Sequence, residues 1–148
     1  MDRGLIEFTR SVIRLRNEHP VLHRRGWFKG RPLHGKGISD IAWLRPDAEP
    51  MSDEDWQQGF VKSLMVFLNG DALQELDPDG RRVRDTAFLL LFNAHHEALD
   101  FTLPAASFGQ AWAVAVDTAT EVGERGGRFA AGSPVTVDAR SMVVLSRP

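Results

Sequence analysis

The first apolar pattern along the chain has the period of an α-helix, with arginines and other polar residues on the opposite side. Its apolar stripe consists of Leu5, Ile6, Phe8, Val12, Ile13 and Leu15. Pro20 cannot continue a helix and disfavours helical geometry at His19, so the helix is predicted to end near Asn17 or Glu18. An apolar stripe of this width is expected to pack against another surface of the protein.

From Ile41 onward the pattern changes to that of β-strands, after a connection, Val21–Gly37, that is punctuated by glycine and proline. The predicted strands are Ile41–Arg45, Ser63–Leu68, Thr86–Asn93, Leu99–Leu103, Trp112–Asp117, Val135–Val137 and Met142–Ser146. Turn-rich segments such as Asp77–Gly80 and Gly126–Gly127 separate them. The predicted fold is therefore mainly β, an antiparallel β-sandwich preceded by one amphipathic α-helix.

Two predicted strands break the usual alternation of apolar and polar residues. Leu64–Leu68 and Phe88–Phe92 are apolar at consecutive positions, whereas an antiparallel strand with one face in water alternates. Both faces of these strands are expected to be covered. One face can pack on a second sheet, and the other needs the N-terminal helix or a neighbouring domain.

The length of 148 residues fits one domain and falls short of the roughly 250 residues of a (β/α)8 barrel. The chain has no cysteine, which excludes disulfides, zinc-thiolate sites and thiol nucleophiles and fits a cytoplasmic location. The first ten residues lack the order of a signal peptide, and no apolar run approaches the roughly 18 residues of a membrane helix. We expect no association with membranes.

The charge is unevenly distributed along the chain. Residues 1–36 carry nine Lys/Arg against three Asp/Glu, and residues 37–148 carry nine against seventeen. A basic arm can bind nucleic acid, but these arginines fall on the polar side of a helix and in the loop after it. A solvated or domain-contacting surface is the preferred interpretation, with no nucleic-acid partner.

Several charged clusters invite a metal interpretation. His95-His96-Glu97 carries zinc-type ligands, yet adjacent residues of a strand point to opposite faces, so a turn after a buried strand is favoured. The acidic segments Asp53–Asp55 and Asp77–Gly80 suggest calcium, but the second lacks the twelfth-position glutamate and reads as a β-turn. Ser52 followed by Asp55 resembles a capping box that opens a short helical turn. No metal site is predicted.

The four tryptophans are the residues most suited to a ligand, because aromatic faces stack on the apolar faces of sugar rings. Trp43 and Trp112 lie within predicted strands and are expected in the core. Trp56 lies in an acidic loop beside Asp53 and Asp55, and these three residues form the candidate carbohydrate-binding site. A purely structural role for Trp56 remains the competing interpretation.

Longer phrases of the sequence resemble the C-terminal end of bacterial glycogen debranching enzymes, the isoamylase-type hydrolases of the α-amylase superfamily. The phrases are FTRSVIRLRNEHPVLHRR (8–25), DIAWLRPD (40–47), MSDEDW (51–56), VFLNGD (66–71) and FLLLFNAHHE (88–97). The resemblance implies that residues 1–37 are the last helix of a catalytic barrel with its connecting loop, and that residues 38–148 are the C-terminal β-sandwich. After Leu103 the similarity is looser.

The resemblance implies a parent enzyme that hydrolyses α-1,6 branch linkages of glycogen or limit dextrin without a cofactor, with its catalytic acids on the upstream barrel. No catalytic residue is therefore assigned here, and the chain is expected to support the barrel. The alternatives are an independent α-glucan-binding module and, more weakly, an unrelated hydrolase with its own carboxylates. Separated from a barrel, the chain is expected to expose an apolar face through which it dimerises.

Overall fold

A computed structural model describes residues 3–30, 37–58, 62–120 and 126–148. Two α-helices and eight strands form its regular structure, which is mainly antiparallel β-sheet. The helices are α1 (Arg3–Glu18) and α2 (Asp53–Gln57). The strands are β1 (Ile41–Leu44), β2 (Ser63–Leu68), β3 (Phe88–Asn93), β4 (Leu99–Thr102), β5 (Ala111–Asp117), β6 (Arg128–Ala130), β7 (Pro134–Val137) and β8 (Ser141–Ser146). Among the described residues, no helix is long and apolar enough to span a bilayer.

The strands form a six-stranded sheet in the order β1-β2-β3-β8-β5-β6 and a two-stranded sheet of β4 and β7. Every pairing is antiparallel. The sequence predicted seven of the eight strands and the class of fold, which the structure confirms. It missed β6, because Arg128–Ala130 contains a single large apolar residue, Phe129, and gives no periodicity. Gly123, part of the glycine-rich segment before β6, lies outside the described residues.

The main core lies between the inner face of the six-stranded sheet and the β4–β7 pair. Its fully buried members include Phe67, Leu89, Trp112 and Leu145 from the large sheet and Phe101 from the small one. Phe67 packs edge-on against Trp112, with ring centroids 6.4 Å apart. Burying side chains of this size stabilises the fold by about 1.5–3 kcal/mol each, so this layer contributes strongly to the stability.

Within residues 3–30, 37–58, 62–120 and 126–148, the outer face of the six-stranded sheet is covered at one end only. Val66, Leu68, Phe88 and Val144 are buried there beneath Val21, from the short 3₁₀ turn Pro20–Leu22, and Leu73. Toward the other end Leu64 and Leu90 are half-buried and Phe92 is 37% exposed. The expectation that both faces are covered is therefore confirmed near Phe88 and wrong at Phe92.

Helix α1 ends at Glu18 as predicted, one residue before the pre-proline His19. It does not cover the outer face, since none of its side chains is buried. Of the stripe, only Leu15 packs on the outer cluster. Pro20 stops the helix and starts the turn that inserts Val21, so the connecting segment covers the sheet in its place.

Three carboxylates tie that connecting segment to the sandwich. Asp85 accepts from the backbone N–H of Val21 (3.1 Å) and pairs with His19 Nδ1 (2.8 Å). Glu75 accepts from the backbone amides of Arg25 and Gly26. Asp40, 3% exposed, accepts from the backbone amides of Lys29 and Gly30, both at 2.9 Å. Helix α1 is thus anchored through its C-terminal end.

Candidate functional site

The candidate site is built around α2, a short helix that begins after Met51. Ser52 is its N-cap: the Ser52 hydroxyl accepts from the Asp55 amide at 3.2 Å, and the Asp55 carboxylate accepts from the Ser52 amide at 2.8 Å. This reciprocal capping box satisfies two backbone N–H groups that a free helix end leaves unpaired. The prediction that Ser52 and Asp55 open a helical turn carrying Trp56 is confirmed.

Trp56 forms an exposed aromatic pair with Trp43. Their ring centroids lie 5.6 Å apart with planes at 77°, and the two residues are 52% and 43% exposed. The expectation that Trp43 belongs to the core is wrong, whereas Trp112 is fully buried as expected. Trp43 shares the outer face with Ile41 on the edge strand β1, beyond the reach of the segment that buries Val66.

Arg45 carries the main electrostatic feature of the site. Its Nε and Nη2 donate to the two carboxylate oxygens of Asp47 at 3.1 and 2.8 Å, and Nη1 lies 3.9 Å from Asp55 Oδ2. The hydrogen bond with Asp47 raises the pKa of Arg45 and, from the other side, lowers the pKa of Asp47. The pKa of Asp55 is lowered chiefly by its bond from the Ser52 amide. All three groups are charged at neutral pH.

Three clefts meet around Met51. The first, which we call the polar cleft, has a volume of about 340 Å³ and is lined by Arg45, Pro46, Met51, Asp55, Lys62, Ser63, His95, Glu97, Ala98 and Leu99. The second, of about 250 Å³, shares Met51 and Asp55 with it and adds Trp56 and Phe92. The third, of about 430 Å³, extends from Trp56 past Trp43 to Phe108. Together they border α2 at Asp55 and Trp56.

The structure brings together two of the three predicted carbohydrate-binding residues. Asp55 and Trp56 line the clefts, whereas Asp53 is exposed at the start of α2 and is not among the described residues that line them. The sequence missed Arg45, Lys62 and His95. They come from three separate segments, which the registers Leu44↔Met65 and Ser63↔Asn93 bring to one corner. No spacing within the sequence predicts that these three residues lie close together.

His95, His96 and Glu97 follow β3 in a turn, as predicted. The argument that the two histidines point apart is wrong, because it assumed a continuing strand: the ring centroids lie 4.2 Å apart. The ligand atoms of the three residues lie within 4.8 Å of one another. This exposed triplet is a geometrically feasible site for a transition metal, and nothing further at the turn indicates a metal.

The Asp77–Gly80 segment is a β-turn, as predicted. The Gly80 amide donates to the Asp77 carbonyl at 2.9 Å, and the Asp77 carboxylate accepts from the amides of Asp79 and Arg81. Because the carboxylate is engaged with the backbone of its own turn, the calcium interpretation has no support here.

The fold and the site define an antiparallel β-sandwich domain that is preceded by helix α1 and carries a corner of aromatic and charged residues. The family profile described as "Isoamylase, C-terminal" matches residues 40–146, and the chain belongs to this family. The resemblance drawn from the sequence phrases is confirmed.

The relatives are proteins of glycogen metabolism by name. The chain is 40% identical over 144 residues to the "Glycogen operon protein GlgX homolog" of Mycobacterium tuberculosis, covering 97% of this chain and 20% of the relative. It is 32% identical over 103 residues to the "Glycogen debranching enzyme" of Salmonella typhi, covering 70% of this chain and 12% of the relative. The chain thus spans a fifth or less of the length of these relatives.

Proposed function

We propose that this chain is the non-catalytic C-terminal domain of a glycogen debranching enzyme that hydrolyses α-1,6 branch linkages, and that it supports an upstream (β/α)8 barrel. The names of the relatives and the small share of their length that is covered support the proposal. In it, residues 1–37 contribute the last helix of the barrel and the connecting loop, and residues 38–148 form the supporting sandwich. A cytoplasmic location belongs to the same proposal.

The observation that carries the proposal is the uncovered apolar stripe of α1. Leu5 is 63% exposed, Ile13 53% and Val12 37%. Among the described residues, this helix is held to the sandwich by Leu15 and the segment after it, so the rest of the stripe is available to pack on another domain. The half-covered end of the outer sheet face, with Phe92 and Leu90, lies on the side of the sheet to which the segment following α1 is bound.

The charge distribution on α1 is consistent with an upstream domain that packs on the apolar stripe. Arg10 and Arg14 are exposed on the polar side of α1, so an upstream domain can bury the stripe without burying these two charges. Full burial of a Leu or Val side chain is worth about 1.5–3 kcal/mol. Leu5 and Val12 are 63% and 37% exposed, so burying what remains of both side chains contributes roughly 1.5–3 kcal/mol to the interface.

Replacing Leu5 and Val12 by serine tests the proposal, in both this chain and the longer protein. In this chain, at concentrations at which it is monomeric, the double variant should lose less than about 1 kcal/mol of stability, because both residues are partly exposed side chains of a surface helix. In a longer protein that includes the proposed barrel, it should lower the stability of the upstream domain by about 1.5–3 kcal/mol. The matched control is Arg10→Ser with Arg14→Ser, on the opposite side of the helix. Equal losses of stability in this chain and in the longer protein would contradict the proposal.

A second copy of this chain is the other candidate occupant of the stripe when no upstream domain is present. The proposal then includes a homodimer through the apolar face. Sedimentation of the chain across a hundredfold range of concentration measures the association directly, and the Leu5/Val12 serine variant should remain monomeric. A parent chain that stays monomeric throughout contradicts this part of the proposal.

The exposed Trp43–Trp56 pair favours a second candidate function, an independent α-glucan-binding module. The sugar-contacting residues proposed from the sequence are Trp56, Asp53 and Asp55. Retardation of the chain in gels that contain glycogen is the test. Trp56→Ala should abolish it, whereas Trp27→Ala should not, although Trp27 is 93% exposed. Equal retardation of both variants contradicts this function.

A further inference from the structure

The polar cleft lies beside the Trp43–Trp56 pair and has the construction of a ligand site. It is concave, is lined from the segments that flank β1, β2 and β4, and has a volume of about 340 Å³, within the usual range for small-molecule sites. We propose that the polar cleft binds a short segment of a neutral α-glucan chain. This inference rests on the glycogen-related function proposed above, and deepens it by locating the site and assigning Arg45, Lys62 and His95 to it.

The lining of the cleft suits a sugar ring. Pro46, Met51, Ala98 and Leu99 supply an apolar surface, against which the C–H face of a pyranose packs. Charged and polar side chains surround this surface. An apolar floor with a few polar groups at its margin is the usual way in which a protein orients a small ligand.

The balance of charge selects a neutral ligand. Two cationic side chains, Arg45 and Lys62, line the cleft together with two carboxylates, Asp55 and Glu97. The carboxylates oppose binding of a phosphate or another anion, and the cations oppose a second cation. Sugar hydroxyls both donate and accept, so they match a mixed set of this kind.

The cleft also holds unused hydrogen-bonding capacity. Lys62 Nζ and Asp55 Oδ1 have no hydrogen-bonding partner within the part of the chain that the structure describes. His95 Nδ1 accepts from the Glu97 amide at 3.2 Å, so the neutral ring carries its proton on Nε2 and can donate there. Two donors and one acceptor are therefore available for the hydroxyls of one or two glucose units.

Two charged groups of the cleft, Arg45 and Asp55, are held in place before any ligand arrives. Asp47 fixes the guanidinium of Arg45 through two hydrogen bonds, and the capping box fixes Asp55. Pre-organisation lowers the entropic cost of binding. A glucan that leaves the cleft over Met51 and Asp55 reaches the adjoining cleft lined by Trp56, where stacking extends the contact.

Titration of the chain with maltoheptaose, followed by the backbone amide NMR shifts, tests the inference. The largest shifts are expected at Ser63, Ala98 and Leu99. Loss of two hydrogen bonds in the double variant Lys62→Ala with His95→Ala should weaken binding about tenfold. The matched control, Lys29→Ala with His23→Ala, removes the same two residue types from exposed positions outside the cleft and should bind as the parent does.

Two results would overturn the inference, and they separate it from the functions proposed above. If maltoheptaose shifts only residues around Trp43 and Trp56, and the Lys62/His95 variant binds normally, the cleft is not the site while the glucan-binding function stands. If nothing binds up to about 10 mM, both the cleft and the glucan-binding function are wrong. The barrel-supporting role is tested independently by the serine variants of the α1 stripe.

Discussion

Removal of the Asp85 carboxylate should release the junction between α1 and the sandwich. Asp85 accepts from the amides of Val21 (3.1 Å) and Thr86 (2.7 Å) and pairs with His19 (2.8 Å). Its side chain is only 7% exposed. Asp85→Ala therefore leaves two backbone N–H groups without an acceptor at the point where Val21 enters the outer cluster.

The magnitude follows from those lost bonds. An unsatisfied buried N–H costs about 1–3 kcal/mol, and Val21 is 1% exposed, so water reaches its amide with difficulty. Water can replace part of the bond to His19, whose side chain is 26% exposed. The expected loss of stability is about 3 kcal/mol, or a decrease in Tm of roughly 6–12 °C for a domain of this size.

Urea unfolding followed by tryptophan fluorescence measures this loss. Asp79→Ala is the matched control, because Asp79 is an exposed carboxylate of the Asp77–Gly80 turn and should change the stability by less than about 0.5 kcal/mol. Asp85→Asn, which keeps one acceptor oxygen, should fall between the two. A loss below about 1 kcal/mol in Asp85→Ala would show that the carboxylate does not hold the junction.

Two further predictions concern a glycine and the α2 cap. Gly70→Ala should destabilise the chain by about 3 kcal/mol, since the added Cβ would meet backbone atoms of Thr86 and Asp85; Gly26→Ala, with nothing within 4 Å, should be near neutral in the same urea assay. The pKa of the Asp55 carboxyl is lowered in the folded chain. The ionised carboxylate therefore stabilises the α2 cap fully above the ordinary pKa of about 3.9, and this stabilisation is lost as the pH falls through the lowered pKa of the folded state. The circular dichroism of the Trp43–Trp56 pair should therefore be constant from neutral pH to about pH 4 and change below about pH 4. In Ser52→Ala the signal should differ from the parent already at neutral pH. A parent signal that does not change at any pH would contradict this prediction.

The apolar pattern predicted most of the fold because the signals were local. Ser63–Leu68 begins and ends where the sequence placed it, and α1 ends just before the pre-proline His19. What covers each face was harder to predict. The sequence assigned the outer face to the helix or to a neighbouring domain, yet Val21, one residue past Pro20, inserts there. This insertion depends on long-range bonds to Asp85 that no periodicity encodes.

The candidate site was only partly predictable for the same reason. Ser52, Asp55 and Trp56 lie within five residues and carry a recognisable capping pattern. Trp43 was misplaced because strand periodicity tells which face a residue occupies but not whether that face is covered along its whole length. Arg45, Lys62 and His95 meet only through the pairing of three strands. Their part in the site could therefore be recognised only from the structure.

Hydrogen exchange of α1 tests most directly the claim that this domain supports an upstream barrel. The amides of residues 5–13 should exchange rapidly in this chain at concentrations at which it is monomeric, where the stripe is uncovered. In a longer protein that carries the proposed barrel they should exchange at least a hundredfold more slowly, a difference of about 2.7 kcal/mol in local stability. Equal exchange of these amides in the two proteins would show that nothing packs on the stripe, and would contradict the account.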